Sequence, residues 1–147
     1  MKRAIVGVMM CALAGVGPAG AADRRFQGDL DPFPHDNSTR DAVIGTGTVS
    51  ATLAGNMLTV TGTFAGLSSP ATAAHLQMGM AMGVPGPRIG ELSATQARDG
   101  EISGKLKLTP AAITALNNGG LYVQLDSVKA ADGNSWGWLE SPDAPRP

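Results

Sequence analysis

Between residues 43 and 64 the chain alternates apolar or small side chains with threonine and serine, on both sides of a Gly55-Asn56 pair. A period of two residues is the pattern of a β-strand with one buried face, and a short Gly-Asn connection between two such runs is typical of a hairpin. The alternation therefore predicts an antiparallel hairpin whose threonines face outward. The side chains expected to face a core are Val49, Ala51, Leu53, Leu58, Val60 and Phe64.

Four further runs have the length and composition of short strands, at residues 73–78, 102–108, 121–125 and 135–139. One helix is expected among them, because Thr109 is a good N-cap, Pro110 suits the first helical position and Gly119-Gly120 ends the segment. Short strands at this spacing are typical of antiparallel sandwiches and barrels. The sequence thus predicts an all-β fold, an antiparallel β-sandwich or barrel-like domain with one short helix.

The first 21 residues have the layout of a signal peptide. A basic start, Met1-Lys2-Arg3, precedes an uncharged apolar run over residues 4–16, and Ala19-Gly20-Ala21 has the small-x-small form of a cleavage site. The apolar run is shorter than the ~20 residues that a membrane-spanning helix needs. We therefore expect residues 1–21 to be removed, no transmembrane anchor to be retained, and the mature protein to be periplasmic or secreted.

The rest of the chain divides into three parts. Residues 22–41 are mostly polar and lack periodicity, and Pro32 and Pro34 enclose Phe33 there, so this part is predicted to be an extended N-terminal arm. Residues 42–140 hold the predicted strands and helix and form the β domain. Residues 141–147 include three prolines and are predicted to be a Pro-rich C-terminal tail.

Composition excludes several classes of function for the mature chain. The one cysteine, Cys11, lies in the predicted leader, so no disulfide, thiolate nucleophile or Cys-ligated metal is expected. Removal of Lys2 and Arg3 leaves nine basic residues against 12 acidic ones, with no basic block. Nucleic acid is therefore not an expected partner.

Several separate motifs occur in the order in which they occur in the CHRD family, the chordin-type domain that is common in exported bacterial proteins. The chain resembles this family over about residues 43–139, in the runs 58–67, 70–76, 100–104, 108–110 and 119–123. The resemblance implies a β fold but says little about function, which is undefined in most members.

The chain also departs from the usual family pattern at three places. Where such domains carry His-apolar-His, this chain has His75-Leu76-Gln77, and where they carry Asn-apolar-His it has Gln124-Leu125-Asp126. In the last strand, residues 133–139 stand in place of Gly-Glu-Ile-Arg-Gly-Gln-Leu. This alignment puts Trp136 and Trp138 at positions that are ordinarily polar.

Strand alternation and the pairing that the resemblance implies would bring four polar side chains together: His75, Gln77, Gln124 and Asp126. A functional interpretation is a mononuclear metal site or a His–Asp general-base pair. The alternative is a structural hydrogen bond in which Asp126 fixes the tautomer of His75. We prefer the structural interpretation, because amide and carboxylate groups replace two of the family's imidazoles.

Methionines follow His75 at alternate positions, which leaves open a copper-binding function. Thioether sulfur suits Cu(I), so the alternative metal site would consist of His75, Met78, Met80, Met82 and Asp126. Against it, methionine also fills irregular gaps and forms adaptable contact surfaces.

Trp136, Trp138 and Tyr122 carry the strongest interaction signal. The two tryptophans share one face of the last strand, and aromatic side chains are enriched at the centres of protein interfaces. The alternative is that they belong to the core. We expect a partner-binding patch formed by these three residues, with another protein as the partner.

No catalytic residue is predicted. His35 lies in the predicted arm and His75 in a strand, neither beside a serine or cysteine, and the turn-rich run 83–87 lacks the lysine of a phosphate-binding loop. The expected function is a non-catalytic exported interaction module without a cofactor, a small accessory subunit of a larger periplasmic complex. A membrane-bound dehydrogenase is one such complex. A periplasmic copper-binding protein is the alternative.

Overall fold

The alternating segments pair into a closed antiparallel barrel. The computed structural model describes residues 23–81 and 83–143, in which eight strands and one helix occur. The strands are β1 (Arg24–Pro32), β2 (Thr46–Ala54), β3 (Met57–Ala65), β4 (Ala71–Met78), β5 (Arg88–Ala94), β6 (Gly100–Lys107), β7 (Leu121–Ser127) and β8 (Ser135–Trp138), and α1 (Pro110–Asn117) lies between β6 and β7. Their order around the barrel is β1-β2-β3-β6-β5-β4-β7-β8. The predicted β fold with one short helix is confirmed, in its barrel form.

The hairpin of β2 and β3 forms with the predicted turn. Ala54 pairs with Met57, so Gly55 and Asn56 are the two turn residues, and Gly55 has the positive φ of 62° that a glycine adopts without strain. All six side chains predicted to face inward are buried in the hydrophobic core. Threonines and serines occupy the outward face.

The helix also begins and ends where predicted. The Thr109 hydroxyl accepts a hydrogen bond from the backbone N–H of Ala112 at 3.2 Å, and Pro110 takes the first helical position. Gly119, with φ 71°, ends the helix by donating to the carbonyl of Leu116. The side chains of Ala112 and Leu116 join the core.

The N-terminal arm predicted for residues 22–41 needs a correction, because β1 is a full strand of the barrel. It pairs with β2 from Arg24 to Leu30 and with β8 at its other end. Phe26 and Leu30 point into the core. The inward position between them is Gly28, where a Cβ would lie 2.3 Å from the Trp138 carbonyl oxygen. Because Gly28 has no side chain, the apolar alternation of β1 is not visible in the sequence. Since β1 pairs with β2 and β8, the β domain begins before residue 42.

A turn follows β1. The Asp36 carboxylate accepts hydrogen bonds from the hydroxyl and backbone N–H of Ser38 and from the same groups of Thr39. These bonds, those from Ser38 first, lower the pKa of Asp36 to about 2.

Two predictions at the ends of the chain are only partly covered by the structure. The predicted signal peptide, residues 1–21, lies outside the described residues, as do residues 144–147 of the predicted tail. Over residues 141–143 the chain forms neither helix nor strand. Among the described residues, no helix has the length and apolar character needed to cross a bilayer.

Candidate functional site

The outward face of β4 and β7 is buried, although it lies outside the barrel. All seven residues of β7 are buried, which means that both of its faces are covered. His75 pairs with Gln124 and Gln77 with Tyr122 across the two strands. Segments on either side cover these polar side chains, since Gly86 contacts Tyr122 and the Asp132 carbonyl accepts from Gln124 at 3.2 Å.

A continuous chain of side-chain hydrogen bonds crosses this face. The Tyr122 hydroxyl donates to Gln77 Oε1 at 2.8 Å, and Gln77 Nε2 donates to Gln124 Oε1 at 2.9 Å. Gln124 Nε2 then donates to Asp126 Oδ1 at 2.8 Å, and Asp126 Oδ2 lies 2.7 Å from His75 Nε2. The structure thus brings together the four polar side chains that the sequence placed in one cluster. We call these five residues the polar network.

His75 sits between two carboxylates, because its Nδ1 lies 3.0 Å from Glu91 Oε2. An ionised carboxylate can only accept hydrogen bonds, so both ring nitrogens of His75 face acceptor oxygens. Glu91 was not predicted as part of the site. It lies on β5, which has no regular alternation of apolar and polar residues and whose pairing with β4 is irregular at Leu76 and Gln77.

Glu91 connects the network to solvent, since its side chain remains 66% exposed. Partial desolvation acts to raise the pKa of this carboxyl, but a hydrogen bond from Arg88 at 2.8 Å and the charges of His75 and Arg88 together outweigh it. The net result is a pKa of Glu91 below its usual range. The exposed end of the network is therefore anionic at neutral pH.

Of the donors of the alternative copper site, the structure brings His75 and Asp126 together but does not place Met78 on their face of the sheet. Met78 lies on the opposite face of β4 from His75 and packs against the core, while Met80 is 87% exposed and Met82 lies outside the described residues. Both ring nitrogens of His75 are held by carboxylates. In the described part of the chain, no group of three His, Cys, Asp or Glu residues has metal-binding geometry.

Trp136 and Trp138 lie on the outer face of β8, as predicted. The inward positions of this strand are Ser135 and Gly137, both buried, and the buried Leu139 follows it directly, so the strand phase inferred from the family alignment is right. Both tryptophans are only partly exposed. Their indole rings contact each other edge-to-face at a centroid distance of 5.4 Å.

Two more aromatic rings complete this cluster. Phe33 lies 4.9 Å from Trp136, and Tyr122 lies 5.6 Å from Trp136 and 4.4 Å from Trp138, between ring centroids. We call these four residues the aromatic cluster. The sequence did not assign Phe33, although a lone aromatic residue between two prolines in a polar segment is the signal that could have identified it.

The prediction that Tyr122 presents a binding surface is corrected by its burial. Its side chain is 1% exposed and its hydroxyl is held by Gln77 and by the backbone N–H of Gly86. Tyr122 instead links the polar network to the aromatic cluster and supports the ring of Trp138.

The indole N–H of Trp138 has no hydrogen-bond acceptor, although it is buried. Leaving such a donor unpaired costs about 1–3 kcal/mol. Within the described residues it is the one buried side-chain polar atom without a partner. The ring lies against Gly79, where a Cβ would come within 2.5 Å of Trp138 Cη2.

Residues 133–137 have the letters of the Gly-x-Ser-x-Gly motif, which marks the nucleophilic serine of many hydrolases. That motif needs a sharp turn between a strand and a helix, with the serine exposed. Here Ser135 lies within β8, is 1% exposed and accepts a hydrogen bond from Asn134 Nδ2 at 3.0 Å. Its geometry is not that of a nucleophile elbow.

Fold and site together define a small antiparallel β-barrel module whose polar network and aromatic cluster lie on one outer face of the barrel. The model of the CHRD domain matches residues 26–134, well over half of the chain. The chain therefore belongs to the CHRD domain family, and the match begins within β1, in agreement with the corrected start of the domain. CHRD domains are typically extracellular or secreted interaction modules. No curated protein and no solved structure matches the chain.

Proposed function

We propose that this chain is a non-catalytic exported interaction module that serves, without a cofactor, as a small accessory subunit of a larger periplasmic complex. The observation that carries the proposal is the pair of partly exposed tryptophans on the outer face of β8. Aromatic side chains held rigidly at a surface are typical anchors of protein interfaces, because they bury a large area with little loss of side-chain entropy.

The surroundings of the tryptophans support this role. Trp136 is held between Phe33 and Tyr122, and Trp138 between Tyr122 and Gly79, so both rings are oriented before a partner arrives. Preorganised side chains lose less freedom on binding, which favours affinity. The buried His75, with both nitrogens engaged, has no free position toward a substrate.

The experiment is affinity capture of the tagged chain from the solubilised envelope of its source cells, followed by mass spectrometry. A membrane-bound dehydrogenase is one class of partner that the proposal accommodates. Trp136→Ala should reduce recovery of the partner at least ten-fold, while Met57→Ala, on the outer side of β3, should leave recovery unchanged. Equal recovery with Trp136→Ala, or a monomer that recovers nothing, would overturn the proposal.

The exported location has its own test, which is sequencing of the mature N-terminus from the cell envelope. We expect the mature chain to begin at Ala22 or Asp23. Recovery of Lys2 and Arg3 in the mature protein would contradict export by a cleaved leader.

A further inference from the structure

The connection between β4 and β5 lies over Trp138 and is unusually apolar for an exposed loop. From residue 78 to residue 87 the sequence contains only Met, Gly, Ala, Val and Pro, with no charged or hydrogen-bonding side chain. Exposed connections normally include polar residues, since these satisfy turns and favour water. In this loop Met80 is 87% exposed and Val84 is 44% exposed. We call Met80 and Val84 the Met80 tip.

The backbone on either side of the Met80 tip is fixed to the barrel. The N–H of Gly79 donates to the carbonyl of Gly120 at 2.8 Å, and the N–H of Gly86 donates to the Tyr122 hydroxyl at 3.2 Å. Gly79 also lies against the Trp138 ring so closely that no larger residue fits there. The tip is therefore presented to solvent from a defined position next to the aromatic cluster.

We propose that the Met80 tip inserts into an uncharged apolar pocket of the partner protein, beside the contact made by Trp138. This rests on the proposed function, because it specifies the chemistry of the partner that the tryptophans bind. The tip extends the apolar surface that begins at Trp138, since Gly79 lies against both the Trp138 ring and the Val84 carbonyl, and contiguous apolar surface is typical of interaction sites. Methionine also adapts its shape to a pocket better than a branched side chain does.

The charges around the loop favour a neutral protein pocket over a lipid surface. Arg88, the charged residue that follows the loop, is already paired with Glu91 at 2.8 Å. Loops and helices that bind membranes usually combine a larger apolar face with several free lysines or arginines. Two protruding side chains present a small apolar area, which matches a protein pocket better than a lipid surface.

The test is oxidation footprinting of the unmodified, tagged full-length chain, alone and in the complex captured from solubilised native envelope. Dilute peroxide converts exposed methionine to the sulfoxide, which mass spectrometry quantifies at each position. Met57, which is 40% exposed on β3, is the internal control. We expect Met80 to oxidise at least ten-fold more slowly in the complex and Met57 to oxidise at the same rate in both samples.

The possible failures differ from one another. If no complex forms, the proposed function and this inference both fail. If a complex forms and depends on Trp136 while Met80 oxidises at its free rate, only the Met80 tip is excluded from the interface. Protection of Met80 by phosphatidylcholine vesicles alone would overturn the protein pocket in favour of a lipid surface.

A charge at the tip provides a second measurement on the same complex. Met80→Glu should lower partner recovery at least ten-fold, because a carboxylate cannot enter an apolar pocket without losing its hydration. Met57→Glu is the matched control and should recover the partner normally. Normal recovery with Met80→Glu would contradict the inference.

Discussion

At the scale of single residues, the polar network connects groups that differ in chemistry but share one hydrogen-bonded path. His75 is held at both ring nitrogens by Glu91 and Asp126, and the path continues through Gln124 and Gln77 to Tyr122. Buried polar groups are costly unless every one is paired, and these are paired. The network therefore fixes the orientation of Tyr122 and, through it, the position of Trp138.

The first prediction concerns Asp126, which accepts from both His75 and Gln124. Asp126→Ala removes the carboxylate that holds His75 Nε2 and one N–H of Gln124, whose amide keeps only its bond to the Asp132 carbonyl. The substitution should cost about 3–5 kcal/mol of folding free energy, as breaking a buried pair does. Urea unfolding with an unchanged m value measures this loss. Asp29→Ala, at an exposed position of β1, should change stability by less than about 0.5 kcal/mol. A similar small change for Asp126→Ala would show that the network is not structural.

The second prediction concerns pH. Because the pKa of Glu91 is lowered in the folded state, its ionised form stabilises the fold above the unfolded pKa of about 4.3, and this stabilisation is lost as pH falls through the lower folded value. Relative to Glu91→Gln, the native chain should have a higher Tm at pH 7, and the gap should close as the pH falls below about 4.

The same comparison at high salt is its control. The Glu91 side chain is largely exposed, so about 1 M NaCl, with a Debye length of about 3 Å, should narrow the Tm gap at pH 7. A gap that persists unchanged from pH 7 to pH 2 would mean that the ionisation of Glu91 does not contribute.

At the scale of secondary-structure elements, strands and the helix with complete local signals could be predicted from the sequence. The β2–β3 hairpin has regular alternation and a Gly55-Asn56 turn, and α1 has its cap at Thr109 and its stop at Gly119. β1 was missed because Gly28 occupies an inward position. β5 was missed because Leu92 is its one buried residue, so the strand has no regular alternation of apolar and polar side chains. Its pairing with β4 is also irregular.

The third prediction tests whether β1 belongs to the core. Phe26 is 3% exposed and packs among the barrel's apolar side chains. Phe26→Ala should cost about 3–5 kcal/mol through the cavity that it leaves, measured by chemical unfolding. Phe33→Ala, seven positions further on and partly exposed, should cost clearly less. An unaltered stability for Phe26→Ala would restore the interpretation of this segment as a separate arm.

At the scale of the whole molecule, the candidate site lies outside the barrel. Most inward-facing side chains are apolar. The inward serines Ser127 and Ser135 are both buried and hydrogen-bonded to Asn134. The remaining polar chemistry therefore lies on the outer face of β4, β7 and β8. Strand alternation predicted the polar cluster and the face of the tryptophans once the family resemblance supplied the strand pairing and the alignment of the last strand. It could not predict the burial of Tyr122, because that depends on how the loop containing Gly86 folds back over the sheet.

The last prediction separates the contributions of Trp138 to folding and to association. Trp138 is partly buried against Tyr122 and Gly79, so Trp138→Ala should cost about 2–3 kcal/mol of folding free energy, less than the 3–5 expected for a fully buried ring. Trp138→Phe keeps most of the ring contact and removes the unpartnered indole N–H, whose burial costs about 1–3 kcal/mol, so its stability should stay close to that of the native chain.

Association should respond differently, since the larger indole surface is what a partner would bury. Trp138→Phe should therefore weaken the free energy of association by about 2 kcal/mol or more, which lowers partner recovery, while the variant protein should melt near the native temperature. Thermal melts beside the capture experiment measure both quantities on the same samples. If Trp138→Phe lost stability as heavily as Trp138→Ala yet recovered the partner normally, Trp138 would be a packing residue, and the interface would have to be centred on Trp136 alone.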